Sequence, residues 1–116
     1  MTAFLTGSHA YGKPRPNSDT DLVILVDDSD LEKLIDAADK VRDRRVGEYG
    51  EDSASLYFGN LNLICVTSFS DFDLWEKGTL DLKRQKIDTG KPITRKEAKA
   101  HFAQLRWERE QKETKE

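Results

Sequence analysis

Two pairs of residues near the start of the chain have types and spacing suited to chemistry on phosphate groups. Gly7 and Ser8 follow a short apolar run. A glycine there lets the backbone approach a phosphate closely, and the next amide and hydroxyl can donate hydrogen bonds. Asp19 and Asp21 open the next apolar run, and in a strand their carboxylates project to the same side, about 7 Å apart at Cα. A hard divalent ion with oxygen ligands, magnesium above all, suits such a pair.

Each pair taken alone has an ordinary alternative. Gly7-Ser8 could be a plain turn, and Asp19 and Asp21 could be two solvated acids at a polar strand entrance. The glycine pattern is not a P-loop, because no Gly-Lys-Ser/Thr follows, and it does not match the dinucleotide-binding pattern either. A different scheme for holding phosphate is therefore required.

The elements that must position these residues follow from apolar runs, turn signals and helix caps. Four short apolar runs predict strands, and capping boxes at Ser29 and Thr94 with a weaker cap at Ser70 predict three helices. The strands are predicted over 3–6, 19–26, 55–58 and 60–67, and the first helix is predicted to end near Arg44-Arg45. The order β-β-α-β-β-α-α predicts an α/β (α+β) fold, a mixed sheet of about four strands with the helices on one face.

Length and composition set outer limits. With 116 residues the chain has room for one domain, residues 1–116, which we divide into a core over 3–67 and a helical part over 70–112. No run of about 18 apolar residues is present, which excludes a transmembrane helix, and the start lacks a signal-peptide pattern. Cys65 is the only cysteine and lies in the apolar run LICV, so we expect a buried structural thiol and a reducing cytoplasm.

The charge is unevenly distributed. The net charge of -3 argues against a general nucleic-acid binder, yet residues 1–76 carry -8 and residues 77–116 carry +5. Solvated helix faces would explain this. Alternatively, the basic C-terminal part faces a polyanion held by the N-terminal part, with Lys83, Arg84 and Lys86 as possible phosphate contacts.

The combined motif is far more specific than its parts. Gly-Ser at a strand end, about ten loop residues, and Ser-Asp-x-Asp before an apolar strand stand together as GSHAYGKPRPNSDTDLVIL, residues 7–25. This arrangement resembles the DNA polymerase β-like nucleotidyltransferases, and most closely their minimal branch. That branch includes the antitoxin partners of HEPN-domain toxins and relatives of aminoglycoside nucleotidyltransferases. The resemblance covers residues 3–67, and the final fifty residues match only in being helical.

The resemblance implies roles for the four motif residues. Gly7 and Ser8 would hold the β- and γ-phosphates of a nucleoside triphosphate, and Asp19 and Asp21 would hold two Mg²⁺ (or Mn²⁺) ions. An acceptor hydroxyl would attack the α-phosphorus in line and displace pyrophosphate. The implied activity is transfer of a nucleoside monophosphate, AMP from ATP, to a hydroxyl of a protein or small molecule.

Three further residues of the same segment are candidates for holding the nucleotide. Ser18 belongs to the Ser-Asp-x-Asp motif, His9 directly follows Gly-Ser, and Lys13 lies in the loop between them. His9 could bond a phosphate oxygen, and Lys13 could neutralise triphosphate charge. Both could equally be solvated loop residues without a function.

One position departs from the family pattern. The family has a third acid on a later strand between hydrophobic residues, and the matching residue here is Asn62, in Leu61-Asn62-Leu63. An asparagine carbonyl can ligate magnesium but cannot serve as a base, so Asn62 is either a weak catalytic ligand or a polar residue facing solvent. The acids that could replace the missing carboxylate from flanking segments are Glu48, Glu51, Asp52 and Asp71.

This departure keeps a second functional hypothesis open: a catalytically impaired nucleotidyltransferase-fold module that binds a partner protein, as an antitoxin binds its helical toxin. A third hypothesis, modification of nucleic-acid ends, rests only on the basic C-terminal part and would require binding that falls steeply with salt.

Overall fold

A computed structural model describes residues 3–40, 44–46 and 53–114, with the backbone alone for residues 38–40, 44–46 and 114. A five-stranded mixed sheet has the strand order β1-β2-β5-β4-β3, in which β2 and β5 are parallel and all other neighbours are antiparallel. The elements are β1 (Ala3–Thr6), a 3₁₀ turn (Gly7–His9), β2 (Thr20–Leu25), α1 (Asp28–Lys40), β3 (Arg44–Val46), β4 (Ala54–Phe58), β5 (Leu61–Val66), α2 (Phe69–Thr89) and α3 (Arg95–Thr114).

All four predicted strands are present, which confirms the α/β class, the mixed sheet and the predicted order of elements. The sheet also has a fifth short strand, β3, where the first helix was expected to end. Helix α1 stops at Lys40, and Val46 pairs with Ala54 at the edge of the sheet. Hydrogen bonding to β4 satisfies the backbone groups of this segment. Two arginines, which the sequence pattern indicates as cations near a helix end, give no sign of such strand pairing.

The prediction that the helices share one face of the sheet is wrong. Val23 and Ile64 belong to a core with α2 and α3, whereas Cys65 belongs to a second core against which Ile24 and the α1 residue Leu34 pack. Since neighbouring residues of a strand point to opposite faces, α1 covers one face and α2 and α3 cover the other. The continuous apolar runs of β2 and β5 need cover on both sides.

Cys65 is buried in the core under α1, as predicted, and burial raises the pKa of its thiol to about 11. The reactive thiolate is therefore scarce in mildly alkaline buffer. We expect an aromatic disulfide reagent to label the folded protein slowly, faster as the pH rises toward that pKa, and at once in concentrated urea. Equal labelling rates with and without urea would contradict this assignment.

Helices α2 and α3 pack closely enough to act as one layer. Gly78 of α2 lies against the Phe102 ring, which would collide with any Cβ at that position. The rings of Trp75 and Phe102 are 4.7 Å apart at their centroids, and His101 Nε2 lies 2.9 Å from Asp81 Oδ2.

No described helix is both long and apolar enough to span a bilayer.

The start of α3 is fixed beside the loop that follows β1. The predicted capping box is present: the Glu97 amide donates to Thr94 Oγ1, and the Glu97 carboxylate accepts from both the hydroxyl and the amide of Thr94. The Ile93 amide donates to the Tyr11 carbonyl at 2.9 Å. This link places the first turn of α3 opposite the Gly7-Ser8 turn.

Candidate functional site

A row of polar residues crosses four strands of the sheet at one level. Asp21 of β2 is in register with Thr6 of β1 on one side and with Asn62 of β5 on the other. Asn62 is in turn paired with Tyr57 of β4. Residues in register on neighbouring strands point to the same face, and alternation from Val23 and Ile64 makes this the face that α2 and α3 cover.

The turn after β1 brings the backbone against Asp21. Gly7 has a φ of 72°, a conformation that side chains disfavour, and its carbonyl accepts from the amides of Ala10 and Tyr11 at 2.9 and 3.0 Å. A Cβ on Gly7 would collide with the Asp21 carboxylate. This position therefore needs glycine for its backbone conformation and for its contact with Asp21.

These residues border a cleft of about 850 Å³ between the sheet edge and the start of α3. A cleft of this size accommodates a ligand as large as a nucleoside triphosphate. Six of the residues predicted to bind nucleotide or metal line it: Gly7, Ser8, Lys13, Ser18, Asp19 and Asp21. His9 is exposed and is not among the residues that line the cleft.

Sequence reasoning did not identify the far wall of the cleft. That wall is formed by Pro92, Ile93, Thr94, Arg95 and Ala98, from the end of the α2–α3 connection and the first turn of α3. The signal for it was the capping box at Thr94, which places Arg95 at the first helical position. Its approach to the N-terminal loop depends on packing between segments about eighty residues apart in sequence.

The charges in the cleft separate into two groups. Asp19 and Asp21 supply two carboxylates at the sheet, and Lys13, Arg15 and Arg95 supply cations around them. A divalent cation at the carboxylates and a polyanion along the basic groups would complement this distribution. Among the described residues of the positively charged C-terminal part, Arg95 is the basic residue that lines this cleft.

The three C-terminal cations considered as phosphate contacts lie elsewhere. Lys86 Nζ donates to the Gly12 carbonyl at 2.8 Å, so it anchors the loop after β1 to α2. Lys83 and Arg84 are exposed and do not line the cleft.

Asn62 is buried beneath the cleft floor, with 1% of its surface exposed, so the expectation that it could face solvent is wrong. Its amide Nδ2 donates to Asp21 Oδ1 at 2.9 Å. An ionised carboxylate only accepts hydrogen bonds, so the amide nitrogen must face Asp21. The oxygen Oδ1 points away from it, and no described group is in hydrogen-bonding position to it.

The acids proposed as replacements for a third carboxylate do not complete the site. Glu48, Glu51 and Asp52 lie outside the described residues. Asp71 accepts from Arg109 Nη1 at 2.7 Å and does not line the cleft. No cluster of three or more histidine, cysteine or acidic residues suited to a metal occurs in the described parts of the chain.

The two carboxylates present fit a magnesium ion that arrives with its substrate. Mg²⁺ in proteins is commonly held by one or two carboxylates, with phosphate oxygens and water completing its coordination. Asp19 and Asp21 offer that number of ligands, in the same cleft as the Gly7-Ser8 turn.

Comparison with known proteins identifies a family. A family model described as a nucleotidyltransferase domain matches residues 2–110, whereas no curated protein and no solved structure matches the chain. The match confirms the resemblance read from residues 7–25. It also extends beyond residues 3–67 to α2 and most of α3, the elements that supply the far wall of the cleft.

Proposed function

The chain belongs to the nucleotidyltransferase domain family, and we propose that it transfers AMP from ATP to a hydroxyl of a protein or small molecule. The observation that carries this proposal is the cleft itself. A glycine turn suited to phosphate lies in contact with Asp21, and Asp19 and a set of cations border the same space.

The triphosphate is proposed to bind along the turn and the basic groups. The backbone at Gly7 and the hydroxyl of Ser8 approach the β- and γ-phosphates, and Ser18 lines the same cleft. Lys13 and Arg95 offset the negative charge from opposite walls. Charge-assisted hydrogen bonds of this kind are about twice as strong as neutral ones.

Asp19 and Asp21 are proposed to hold Mg²⁺, which when bound offsets charge on the phosphates and lowers the pKa of a coordinated hydroxyl. In the reaction, the acceptor oxygen forms a bond to the α-phosphorus, and the bond from that phosphorus to the bridging oxygen of pyrophosphate breaks. The acceptor proton must leave to solvent or to a cleft carboxylate, because the neutral amide of Asn62 cannot take it.

Mg-ATP calorimetry, together with label transfer from ATP labelled at its α-phosphate, tests this function. The wild type should bind Mg-ATP and label hydroxyl compounds or proteins of a cell extract. Asp19→Asn should weaken binding strongly and abolish labelling, whereas Asp36→Asn, an exposed acid on α1, should do neither. Absence of Mg-ATP binding by the wild type, or equal behaviour of the two variants, would refute the proposal.

Arg95 gives a prediction specific to the far wall. Arg95→Ala should weaken Mg-ATP binding about tenfold, the equivalent of losing one hydrogen bond between charged groups. The matched control is Lys96→Ala, which removes the same charge from an exposed neighbour outside the cleft. An equal loss of affinity in both variants would indicate a general effect of net charge rather than a contact with the nucleotide.

The bond between Asn62 and Asp21 favours a second candidate function. With an amide at that position and no third carboxylate among the described residues lining the cleft, the chain could bind nucleotide and serve chiefly as the protein partner of a helical toxin. Transfer that is undetectable in the wild type and appears in Asn62→Asp would favour this function. Robust transfer by the wild type would exclude it.

A further inference from the structure

Each oxygen of the Asp21 carboxylate lies against a neighbouring group. Oδ1 accepts the hydrogen bond from Asn62 Nδ2, and Oδ2 lies so close to Gly7 that a Cβ on that residue would collide with it. Asn62 is itself immobilised by nearly complete burial. Groups of the protein alone therefore orient the carboxylate, and Asp21 lines the cleft.

An acid at position 62 would behave differently. Its carboxylate would lie within hydrogen-bonding distance of Asp21 Oδ1 with no proton to share, so the two charges would repel unless a cation or a proton intervened. The amide of Asn62 removes that repulsion and replaces it with an attraction. The Asn62 Oδ1 is left buried without a described partner. The hydrogen bond from Asn62 Nδ2 to the Asp21 carboxylate offsets that cost.

The same bond also limits where a cation can bind. An ion shared by residue 62 and Asp21 would need the place that the Asn62 NH₂ group occupies at Oδ1, and an NH₂ group repels cations. The carboxylates of Asp19 and Asp21, which line the open cleft, are left as the ligands available.

We propose that Asn62 is a positioning residue that orients the Asp21 carboxylate without a metal ion and restricts the site to one divalent cation per nucleotide. This inference rests on the proposed function for the identity of the ligand. The prearranged state of Asp21 does not depend on that function, because it involves only groups of the chain.

Thermal unfolding without nucleotide tests the first half. Wild-type protein should unfold at the same temperature in EDTA and in Mn²⁺. Asn62→Asp should unfold at least about 4 °C lower in EDTA, the shift that corresponds to roughly 1 kcal/mol in a domain of this size, and should recover in Mn²⁺. Asn60→Asp, the same substitution at an exposed turn residue, should show neither effect.

The number of Mn²⁺ ions bound in the presence of a nonhydrolysable ATP analogue, counted by electron paramagnetic resonance, tests the second half. The wild type should bind one ion per nucleotide and Asn62→Asp two. Asn62→Ala should still bind one ion per nucleotide, but its affinity for Mn²⁺ should fall about 10- to 100-fold, as is usual when a group that orients a metal ligand is removed.

Two results would overturn the proposal: two Mn²⁺ ions in the wild type, or equal melting of wild type and Asn62→Asp in EDTA. If Asn62→Asp fails to fold under any condition, the wild-type count still decides. If the wild type does not bind the analogue, the proposed function is refuted. The comparison of melting temperatures then tests the positioning role of Asn62 independently of that function.

Discussion

Replacing Asp21 with asparagine is expected to abolish measurable nucleotidyl transfer and to weaken Mg-ATP binding at least about 100-fold, since removing a group that merely orients a metal ligand already costs 10- to 100-fold. Asp21 is the central residue of the polar row. It contacts the Gly7 turn, bonds Asn62 and lines the cleft. The substitution keeps the size of the side chain, removes its charge and replaces one acceptor oxygen with an NH₂ donor.

The fold should tolerate this change, which makes the result interpretable. The amide oxygen of the replacement can still accept from Asn62 Nδ2, so the urea midpoint should stay close to that of the wild type. Calorimetry gives the affinity, and the Asp36→Asn variant controls for the loss of one negative charge. If Asp21→Asn bound Mg-ATP as tightly as the wild type, the proposed cation site at Asp21 would be refuted.

Replacing Gly7 with alanine is expected to damage both the stability of the fold and the binding of Mg-ATP. The backbone at Gly7 has a φ of 72°, which costs about 1–2 kcal/mol for a residue with a side chain. The added methyl would also collide with the Asp21 carboxylate. We expect both a lower free energy of unfolding and loss of Mg-ATP binding, because either the turn or Asp21 must move.

Gly59 provides a matched control for the backbone contribution. Its φ is 63°, and no atom beyond Gly59 and its two chain neighbours lies within 4 Å of the position that a Cβ would occupy, so Gly59→Ala isolates the conformational cost. The excess destabilisation of Gly7→Ala over Gly59→Ala then measures the collision with Asp21. In an Asp21→Ala background that excess should vanish, a double-mutant test; an excess that persists would place the strain elsewhere.

The grouping of the motif residues in one cleft could be predicted from sequence because it depends on short segments next to one pair of strands. Gly7 and Ser8 end one strand, Asp19 and Asp21 open the next, and antiparallel pairing of Thr6 with Asp21 brings the two ends together. The apolar runs located four of the five strands for the same reason. Edge strand β3 could not be located, since a three-residue segment with two arginines has no apolar alternation to reveal it.

The arrangement of the helices required long-range information. The continuous apolar run of β2 requires cover on both faces, which conflicts with helices on one face only, and the structure places α1 on the face opposite α2 and α3. Capping residues show where a helix begins but not which face it covers. The position of Arg95 in the cleft depends likewise on the Ile93–Tyr11 hydrogen bond, which joins residues far apart in the chain.

The state of Asn62 could be predicted only in part. Strand alternation places it on the same face as Ile64 and Val66, and the family resemblance marks it as the position of a missing acid. Neither showed that it is buried, because burial depends on the elements packed above the strand. Its hydrogen bond to Asp21 follows from the register of two strands forty residues apart, which no local pattern encodes.

A crystal structure with Mn²⁺ and a nonhydrolysable ATP analogue would show directly whether the cleft holds the nucleotide and its cation. We expect the triphosphate to lie against the Gly7-Ser8 turn, with one anomalous Mn²⁺ peak at Asp19 and Asp21. Arg95 should be directed at the phosphates, and the Asn62–Asp21 hydrogen bond should be intact. An analogue bound outside this cleft, or a cleft that stays empty at saturating analogue and Mn²⁺, would contradict this expectation.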